Sequence, residues 1–411
     1  MSGYIRREDR LFDPTTGALV GYIDANGNEQ ALVSGAWSYF TNASALKPVA
    51  AALRNAPFTE VFINGSGDSL MQFGGDTVGV YPYSDALAER AGFLACLRRH
   101  LNARLGTPDG GQWIPAEASV SDTRVANTNG ATVANWGPYN AYVNGSGTVT
   151  GRNARSLNAS GANITFTVFG RYVEVEIWEN AGTYVGNMNW TVDGSGGGTI
   201  NSNGGGGATD TYRTVRLDLG TDANHVVSIS WASGQNLITG ATVTRGSGVV
   251  TRRFGFGGSS ANNWAALNSK VLRTSLQTNR ASLHIIRDSY NPWNRQVADG
   301  VTIANYKTAM QSLIDLALVN ASAVLLVPDP ATSTADNKAI KYAEFDTAQR
   351  DLALANSKVC FFDVKAATTT DWTTANALGW KTDFVHNAGP AFNAETSTLA
   401  DLLLDPRLLV N

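Results

Sequence analysis

The spacing of apolar and polar residues changes twice along the chain and separates an α/β part from a β-rich middle. From about residue 46, a short helix pattern, an apolar strand (EVFING) and a long helix pattern over 83–105 follow one another. Between about 118 and 245, stretches such as RYVEVEIW and HVVSISW alternate apolar and polar residues, which is typical of half-buried strands. After 246 the strand–helix rhythm returns.

The elements predicted after 246 belong to an α/β fold. Helix patterns cover 302–320, 336–356 and 390–404, and apolar strand patterns cover 248–254, 282–288, 322–329 and 357–364. Strands that alternate with helices form a mostly parallel sheet with helices on both faces. Removing the β-rich middle would join the helix at 83–105 to the strand at 248–254. We therefore predict a three-layer α/β/α domain that carries an inserted all-β domain whose two ends lie close together.

Four segments follow from this reading. Residues 1–45 form an N-terminal arm, in which Asn26-Gly27 between two apolar runs predicts a hairpin. Residues 46–117 and 247–411 are the two parts of the α/β domain, and residues 118–246 are the insert.

Composition and charge exclude several kinds of protein. The 411 residues are 43% hydrophobic and carry a net charge of −3 without a basic stripe, which argues against a nucleic-acid partner. We find no apolar run of about 18 residues and no apolar N-terminal segment, so neither membrane insertion nor a signal peptide is expected. Cys96 and Cys360 lie in a helix pattern and a strand pattern, which favours buried thiols over a disulfide. No cysteine–histidine spacing suits a metal, and none is expected.

Candidate chemistry lies in the loops after the strands, because ligands of parallel sheets bind beyond the carboxyl ends of the strands. The loop SGDSLMQFGG places Ser69 just past EVFING, and a serine nucleophile needs a base within hydrogen-bonding reach. Of the four histidines, His100 lies in a charged helix turn, His225 in the insert and His284 inside a strand. His386, in the loop before the last helix, remains as the base.

Three more features fit acyl transfer. Asp383 precedes His386 by three residues and could hold the imidazole in one tautomer. The glycine-rich loop at 255–264 offers backbone N–H groups and Asn291 offers a side-chain amide, both suited to a developing oxyanion. Each residue alone has a plainer interpretation, since Ser69 could cap a helix, Asp383 and Asn291 could form turns, and His386 could be a surface histidine.

The ordered set of GDSL (67–70), the Gly258 loop, Asn291 and Asp383-x-x-His386 resembles the four sequence blocks of the GDSL/SGNH hydrolase family. The resemblance covers about 46–110 and 248–411. It implies an SGNH-type fold with a Ser69–His386–Asp383 triad. It also implies an oxyanion hole made by the Ser69 and Gly258 N–H groups and the Asn291 amide.

Two departures from the family pattern stand out. The third block usually reads Gly-x-Asn-Asp, whereas here it is Ser289-Tyr290-Asn291-Pro292. In the second block Gly257 is an alternative to Gly258, and either glycine could serve only the backbone shape. The run GFGGSS lacks the third glycine of a dinucleotide fingerprint, and GSGDSL lacks the lysine of a phosphate loop, so no cofactor is expected.

The insert and the arm point towards carbohydrate. The insert is similar to jelly-roll modules found beside carbohydrate esterases, and the opening DPTTGALVGYIDANGNE resembles phage tail-fibre and tailspike proteins. Aromatic rings in the insert could stack on sugars, although rings on alternating strands are more often core: Trp136, Tyr139, Tyr142, Tyr172, Trp178, Tyr184, Trp190 and Trp231.

Together these resemblances predict a serine esterase that removes O-acetyl groups from a bacterial surface polysaccharide. It would act outside the cell or on a phage tail, and it could be a homo-oligomer, a trimer if it is a tail protein. Two alternatives stay open: a short-chain lipase or thioesterase of the same family, and a non-catalytic glycan-binding protein.

Overall fold

The computed structural model describes most of the α/β domain and of the insert. The residues it describes are 5–7, 10–12, 19–23, 29–31, 36–72, 92–109, 111–115, 125–128, 132–134, 154–179, 185–202, 211–255, 260–262, 280–329, 332, 338–368, 372–381 and 385–409.

The N-terminal segment begins with a small antiparallel sheet whose strands pair in chain order: β1 (Ile5–Arg7), β2 (Arg10–Phe12), β3 (Leu19–Ile23) and β4 (Glu29–Ala31). The pairing of β3 with β4 confirms the hairpin predicted around Asn26-Gly27. A 3-10 turn at Ala36–Tyr39 then leads into the larger sheet.

The α/β domain is built on a six-stranded sheet in the order β16-β6-β17-β18-β19-β5. Its strands are β5 (Phe40–Thr41), β6 (Glu60–Gly67), β16 (Gly248–Gly255), β17 (Ala281–Arg287), β18 (Ala321–Val327) and β19 (Val359–Phe362). The five longer strands run parallel, and β5 adds an antiparallel edge. This edge strand comes from residues that the sequence analysis assigned to the arm.

Helices cover this sheet. They are α1 (Lys47–Arg54), α2 (Ser69–Gln72), α3 (Phe93–Leu105), α4 (Tyr290–Asn294), α5 (Ile303–Leu318), α6 (Tyr342–Ala355), α7 (Val364–Ala367), α8 (Trp372–Ala377) and α9 (Gly389–Leu403), with 3-10 turns at Ala43–Leu46 and Pro406–Leu409. Consecutive residues of β18 are buried, so both faces of the sheet are covered there. Helices α5 and α6 pack near β18 and β19, and α3 and α9 pack on each other. The predicted three-layer α/β/α fold is confirmed.

The other predictions for this domain hold where the structure describes them. The predicted helices at 302–320, 336–356 and 390–404 correspond to α5, α6 and α9, and α3 is the described part of the helix predicted over 83–105. Cys96 and Cys360 are buried free thiols, as predicted. No helix in the described part of the chain is long and apolar enough to cross a membrane.

The insert is a second, antiparallel sheet. Its nine strands are β7 (Gln112–Pro115), β8 (Val125–Thr128), β9 (Thr132–Ala134), β10 (Ala154–Leu157), β11 (Asn163–Glu179), β12 (Gly186–Val192), β13 (Ser195–Asn201), β14 (Thr211–Gly234) and β15 (Asn236–Thr244). The extra all-β domain is therefore present; its predicted limits at 118–246 stay a prediction.

The insert folds around its own core because two of its strands are long and bent. The register of β11 against β14 shifts between Gly170 and Tyr172, so each half of β11 pairs with a different part of β14. Inward-facing residues on both halves, such as Phe166 and Val175, then meet in one apolar cluster. The sequence predicted a sandwich of many short strands. In the structure, β11 and β14 each continue through the bend as one long strand.

The insert joins the α/β domain through a paired stem and a polar seam. The stem is the pair β7–β15, in which Gln112 lies opposite Val243, so the ends of the insert are adjacent, as predicted. In the seam, Glu60 accepts hydrogen bonds from Arg216 (2.7 and 2.8 Å) and Thr244. Arg216 also pairs with Glu174 at 3.0 Å, and Glu174 pairs with the buried Arg252.

Candidate active site

Strand β6 ends in a backbone turn that only glycine fits. Gly67 has a φ of 144°, and a Cβ atom there would lie 1.9 Å from the Arg287 carbonyl oxygen of the adjacent β17. The next N–H group, that of Asp68, donates to the same oxygen at 3.3 Å. Ser69 then begins α2. The predicted nucleophile therefore lies directly beyond the carboxyl end of a central strand.

Asp68 ties the Ser69 turn to the third loop. Its side chain is buried, Oδ1 accepts the Leu70 N–H at 2.8 Å, and Oδ2 accepts a hydrogen bond from Asn291 Nδ2 at 3.2 Å. Asn291 lies on α4, just after β17. The structure therefore brings Asn291 to the residue that precedes Ser69. Sequence reasoning did not single out Asp68, although it is the second letter of the GDSL block.

The third loop is ordered by a carboxylate from the next strand. Asp329 follows β18, and its Oδ2 accepts the N–H groups of Ser289 (2.7 Å) and Tyr290 (2.6 Å). The Asp329 N–H in turn donates to Ser289 Oγ at 2.9 Å. Asp329 thus holds this loop, in which Pro292 replaces the aspartate of the usual third block.

The second loop reaches the same rim. Strand β16 ends at Gly255, and residues 256–259, which include Gly257 and Gly258, lie outside the described residues. Where the description resumes, the Ala261 N–H donates to Asp288 Oδ2 at 2.5 Å. Because Asp288 directly follows β17, the far end of this loop lies beside the third loop.

His386 lies in a turn before α9, where it is half-buried. The residues on either side of it, Val385 and Asn387, are buried, and Asn387 forms a β-bridge with Lys381. Asp383 and the side chain of Ser69 lie outside the described residues. The roles predicted for Ser69, Asp383 and His386 therefore stay predictions.

The other three histidines are engaged elsewhere. Burial lowers the pKa of His284 to about 3, and its Nε2 lies 2.8 Å from Ser66 Oγ inside the sheet. His100 contacts the Asn393 carbonyl oxygen at 3.2 Å, and burial lowers its pKa. His225 pairs with Asp193 in the insert. In the described part of the chain, none of these three histidines lies at the rim that holds Asp68 and Asn291.

Acidic side chains are concentrated beneath this rim. Asp68, Asp288 and Asp329 are all buried, and the guanidinium of Arg287 lies among them and Glu395. Burial raises the pKa of Asp68 well above its usual range, and the neighbouring carboxyls of Asp329 and Asp288 raise it further. Burial and Asp329 raise the pKa of Asp288 in the same way. The rim therefore favours neutral carboxyls beside the Ser69 turn.

Three of the insert's candidate aromatic side chains are described, and two of them pack against the core of the insert. Trp190 and Trp231 pack against the inner apolar cluster, and the Tyr172 ring lies 4.0 Å from the Arg216 guanidinium. Trp136, Tyr139, Tyr142, Tyr184 and the side chain of Trp178 lie outside the described residues.

Comparison with solved structures establishes the fold. A structure described as "Peptidoglycan O-acetylesterase in action" matches with a TM-score of 0.62 and 18% identity, over 88% of this chain and 97% of that one. The matched share exceeds what the α/β part alone could supply, so it includes inserted residues. This likeness shows that the two chains share a fold, and in this chain that fold is an α/β domain with an extra antiparallel domain.

Two further structures match more weakly. An acetylxylan esterase from Geobacillus stearothermophilus matches at 16% identity over 38% of this chain and 73% of that one, with a TM-score of 0.31. A family 2 carbohydrate esterase with a carbohydrate-binding domain, from Corynascus thermopiles (Myceliophthora fergusii), matches at 11% identity over 62% of this chain and 95% of that one, with a TM-score of 0.29. Both TM-scores are too low to establish a shared fold. No family model and no curated protein matches the sequence.

Proposed function

We propose that the chain is a serine esterase that removes O-acetyl groups from a polysaccharide. The observation that carries the proposal is the hydrogen bond between Asp68 and Asn291, because it joins the turn of the predicted nucleophile to the predicted oxyanion donor. The SGNH-type fold supports it, since the solved structure that shares the fold is described as a peptidoglycan O-acetylesterase.

In the proposed reaction, His386 takes the proton of the Ser69 hydroxyl as Ser69 Oγ attacks the acetyl carbonyl carbon. The oxyanion accepts hydrogen bonds from the Ser69 and Gly258 N–H groups and from the Asn291 amide. His386 then gives its proton to the departing sugar oxygen. Water, activated by His386, attacks the acetyl-enzyme, and acetate leaves with Ser69 restored. Asp383 orients the imidazole throughout.

The Asp68–Asn291 contact suits this role. A side-chain amide that stabilises an oxyanion must point one N–H at the reacting oxygen, so its rotation has to be restricted. Asp68 restricts it by accepting a hydrogen bond from the Asn291 amide. Asn291 is 9% exposed, so burial adds to the restriction.

The test is acetate release from O-acetylated glycans, peptidoglycan and acetylxylan among them, together with hydrolysis of 4-nitrophenyl acetate. Ser69→Ala and His386→Ala should each lower kcat by at least about a thousandfold. The matched controls Ser312→Ala and His100→Ala remove the same groups elsewhere in the fold and should stay within about threefold of wild type. Wild-type activity that survives Ser69→Ala would overturn the mechanism.

Two further outcomes identify the alternative functions. Cleavage of long-chain esters without acetate release from any glycan would identify a lipase or thioesterase. Tight glycan binding that is unchanged in Ser69→Ala, with no hydrolysis of any ester, would identify a binding protein.

We further propose that the protein acts outside the cell, on a phage tail, against a bacterial surface polysaccharide. The resemblance of residues 13–29 to tail-fibre openings supports this location. Light scattering coupled to size exclusion should then give a trimer. A monomer at micromolar concentration would contradict the tail assignment while leaving the esterase proposal intact.

A further inference from the structure

Arg287 touches the Ser69 turn through its backbone and lies fully buried at the end of β17. Its carbonyl oxygen accepts the Asp68 N–H and is the atom against which Gly67 packs. Its guanidinium lies beside the rings of Phe93 and Phe392, at 4.9 and 5.5 Å from their centroids. The side chain is therefore fixed in direction, and it points towards α9.

Glu395 receives that guanidinium. The Arg287 Nη1 atom donates to Glu395 Oε2 at 2.9 Å, and Nη2 donates to Oε1 at 3.4 Å. Glu395 lies on α9 and is 2% exposed. Its Oε1 also accepts a hydrogen bond from Asn387 Nδ2 at 2.6 Å. The ion pair thus reaches the residue that follows His386.

Lys381 closes the His386 turn from the other side. Its buried ammonium donates to Asn387 Oδ1 at 2.8 Å and to the Val385 carbonyl oxygen at 3.1 Å. Val385 and Asn387 are the two chain neighbours of His386. One ammonium therefore contacts both chain neighbours of the predicted base, Val385 at its carbonyl oxygen and Asn387 at its side chain.

These contacts form one unbroken path from the Ser69 turn to the His386 turn. We propose that the path is a positioning network that sets the distance and direction of the His386 ring relative to Ser69. The network is defined as Arg287, Glu395, Asn387 and Lys381. This inference rests on the proposed esterase function and adds positioning residues to it.

Burial of charge supports this interpretation. Buried ion pairs stabilise a fold little more than apolar residues of the same volume would, because desolvation offsets their attraction. Their hydrogen bonds nevertheless have fixed lengths and directions, which apolar contacts lack. A network of this kind suits a site where displacing a catalytic group by about 1 Å can cost about a hundredfold in rate.

The test variant is Asn387→Ala, which removes the link between Glu395 and Lys381. The Glu395 carboxylate keeps its ion pair in this variant, because Arg287 still donates to it. We expect kcat for 4-nitrophenyl acetate to fall ten- to a hundredfold while KM stays within about twofold, because the base is displaced and the binding surface is kept. The acid limb of the pH profile of kcat/KM should also move, and Ser69 labelling by a fluorophosphonate probe should slow in parallel.

A second variant and a control keep the test independent of folding. Lys381→Met should lower kcat in the same way by releasing the Val385 carbonyl oxygen and the Asn387 side chain. The control is the double variant Arg252→Met/Glu174→Met, which removes another buried Arg–Glu pair, in the seam with the insert. It should change the melting temperature little, because apolar residues replace both charges, and leave kcat within about twofold of wild type.

Three results would count against the network. Wild-type kcat and an unchanged pH profile in Asn387→Ala would overturn it. So would a loss of activity that disappears when the variant is assayed well below its melting temperature. Wild-type enzyme without any Ser69-dependent hydrolysis would instead overturn the proposed function, and the positioning inference with it.

Discussion

The rim of the six-stranded sheet and the interior of the insert differ in what they bury. Beneath the rim lie four carboxyl groups and one guanidinium, those of Asp68, Asp288, Asp329, Glu395 and Arg287. The interior of the insert holds an aliphatic and aromatic cluster, and charged residues such as Glu174 and Arg216 lie at the seam. The two regions therefore depend on different kinds of interaction.

The difference shows which region departs from the usual pattern of an apolar interior. An apolar interior gains stability in proportion to the area it buries, and it tolerates substitutions that keep the side-chain volume. A buried polar rim depends on individual hydrogen bonds, each of which is costly to leave unmade. Departures of this kind concentrate at functional sites. Single substitutions should therefore disable the rim but only loosen the insert.

Gly67→Ala should have the largest effect. The added Cβ would meet the Arg287 carbonyl oxygen at 1.9 Å, at a φ of 144° that alanine does not adopt. We expect loss of more than about 4 kcal/mol of stability, or no soluble protein. The insert offers the control Gly194→Ala, where φ is 77° and nothing lies within 4 Å, so the loss should be about 1 kcal/mol. Similar losses in urea unfolding of the two variants would remove the contrast between rim and insert.

Phe166→Ala tests the insert. Phe166 is fully buried in the insert core, so truncation should cost about 3–5 kcal/mol in the unfolding of that domain. Calorimetry should show the insert transition at lower temperature. Hydrolysis of 4-nitrophenyl acetate should persist below that transition, and its loss there would mean that the insert supports the rim directly.

The third prediction uses the pH dependence of a buried histidine. His284 has a pKa of about 3 in the folded protein, against an ordinary value of 6.5, so the folded state keeps it neutral. As pH falls below 6.5, the unfolded chain binds a proton that the folded chain refuses. Stability then falls by about 1.4 kcal/mol per pH unit from this group, until the folded pKa is reached.

His284→Gln should remove that dependence. The stability advantage of the wild type over the variant should shrink by about 3 kcal/mol between pH 6.5 and pH 4, measured by urea unfolding at each pH. Since Asp68 and Asp288 are present in both proteins, their raised pKa values cancel from the difference. A constant gap across this range would mean that His284 is charged in the fold.

His225 in the insert should show the smallest effect, with the opposite sign. A hydrogen bond from His225 Nδ1 to Asp193, at 2.8 Å, raises the pKa of His225. Its stabilising contribution is therefore present below pH 6.5 and is lost as pH rises through the folded pKa. His225→Gln should melt slightly below the wild type at about pH 5.5 and together with it at about pH 8. A larger gap at the higher pH would contradict the assignment.

Most elements of the α/β domain could be predicted because their patterns are local. The residues AVLLV of β18 form an apolar run that fits a buried parallel strand, and the three-to-four spacing in α3 is a helix signal. Strand β5 has two residues, too few for any periodicity. Strands β11 and β14 were read as shorter pieces because Gly170 and the segment 220–224 resemble turns, although tertiary pairing carries both strands through the bend.

The candidate site could be predicted only in part. Ser69 and His386 have a motif and a loop position that mark them. Arg287, Glu395 and Lys381 have no such signal, because a charged residue at the end of a strand or on a helix normally faces solvent. Their burial arises from the meeting of three segments that are distant in sequence, and no local pattern records that meeting.

The stem of the insert has one further consequence. Because Gln112 and Val243 are partners on neighbouring strands, the chain crosses from one domain to the other and back within about 5 Å. Excising the intervening segment would leave a gap that one or two residues could close, so the α/β domain could be produced without the insert. The same junction would accept a different β domain in place of the native one, which makes it a natural point for building chimaeras.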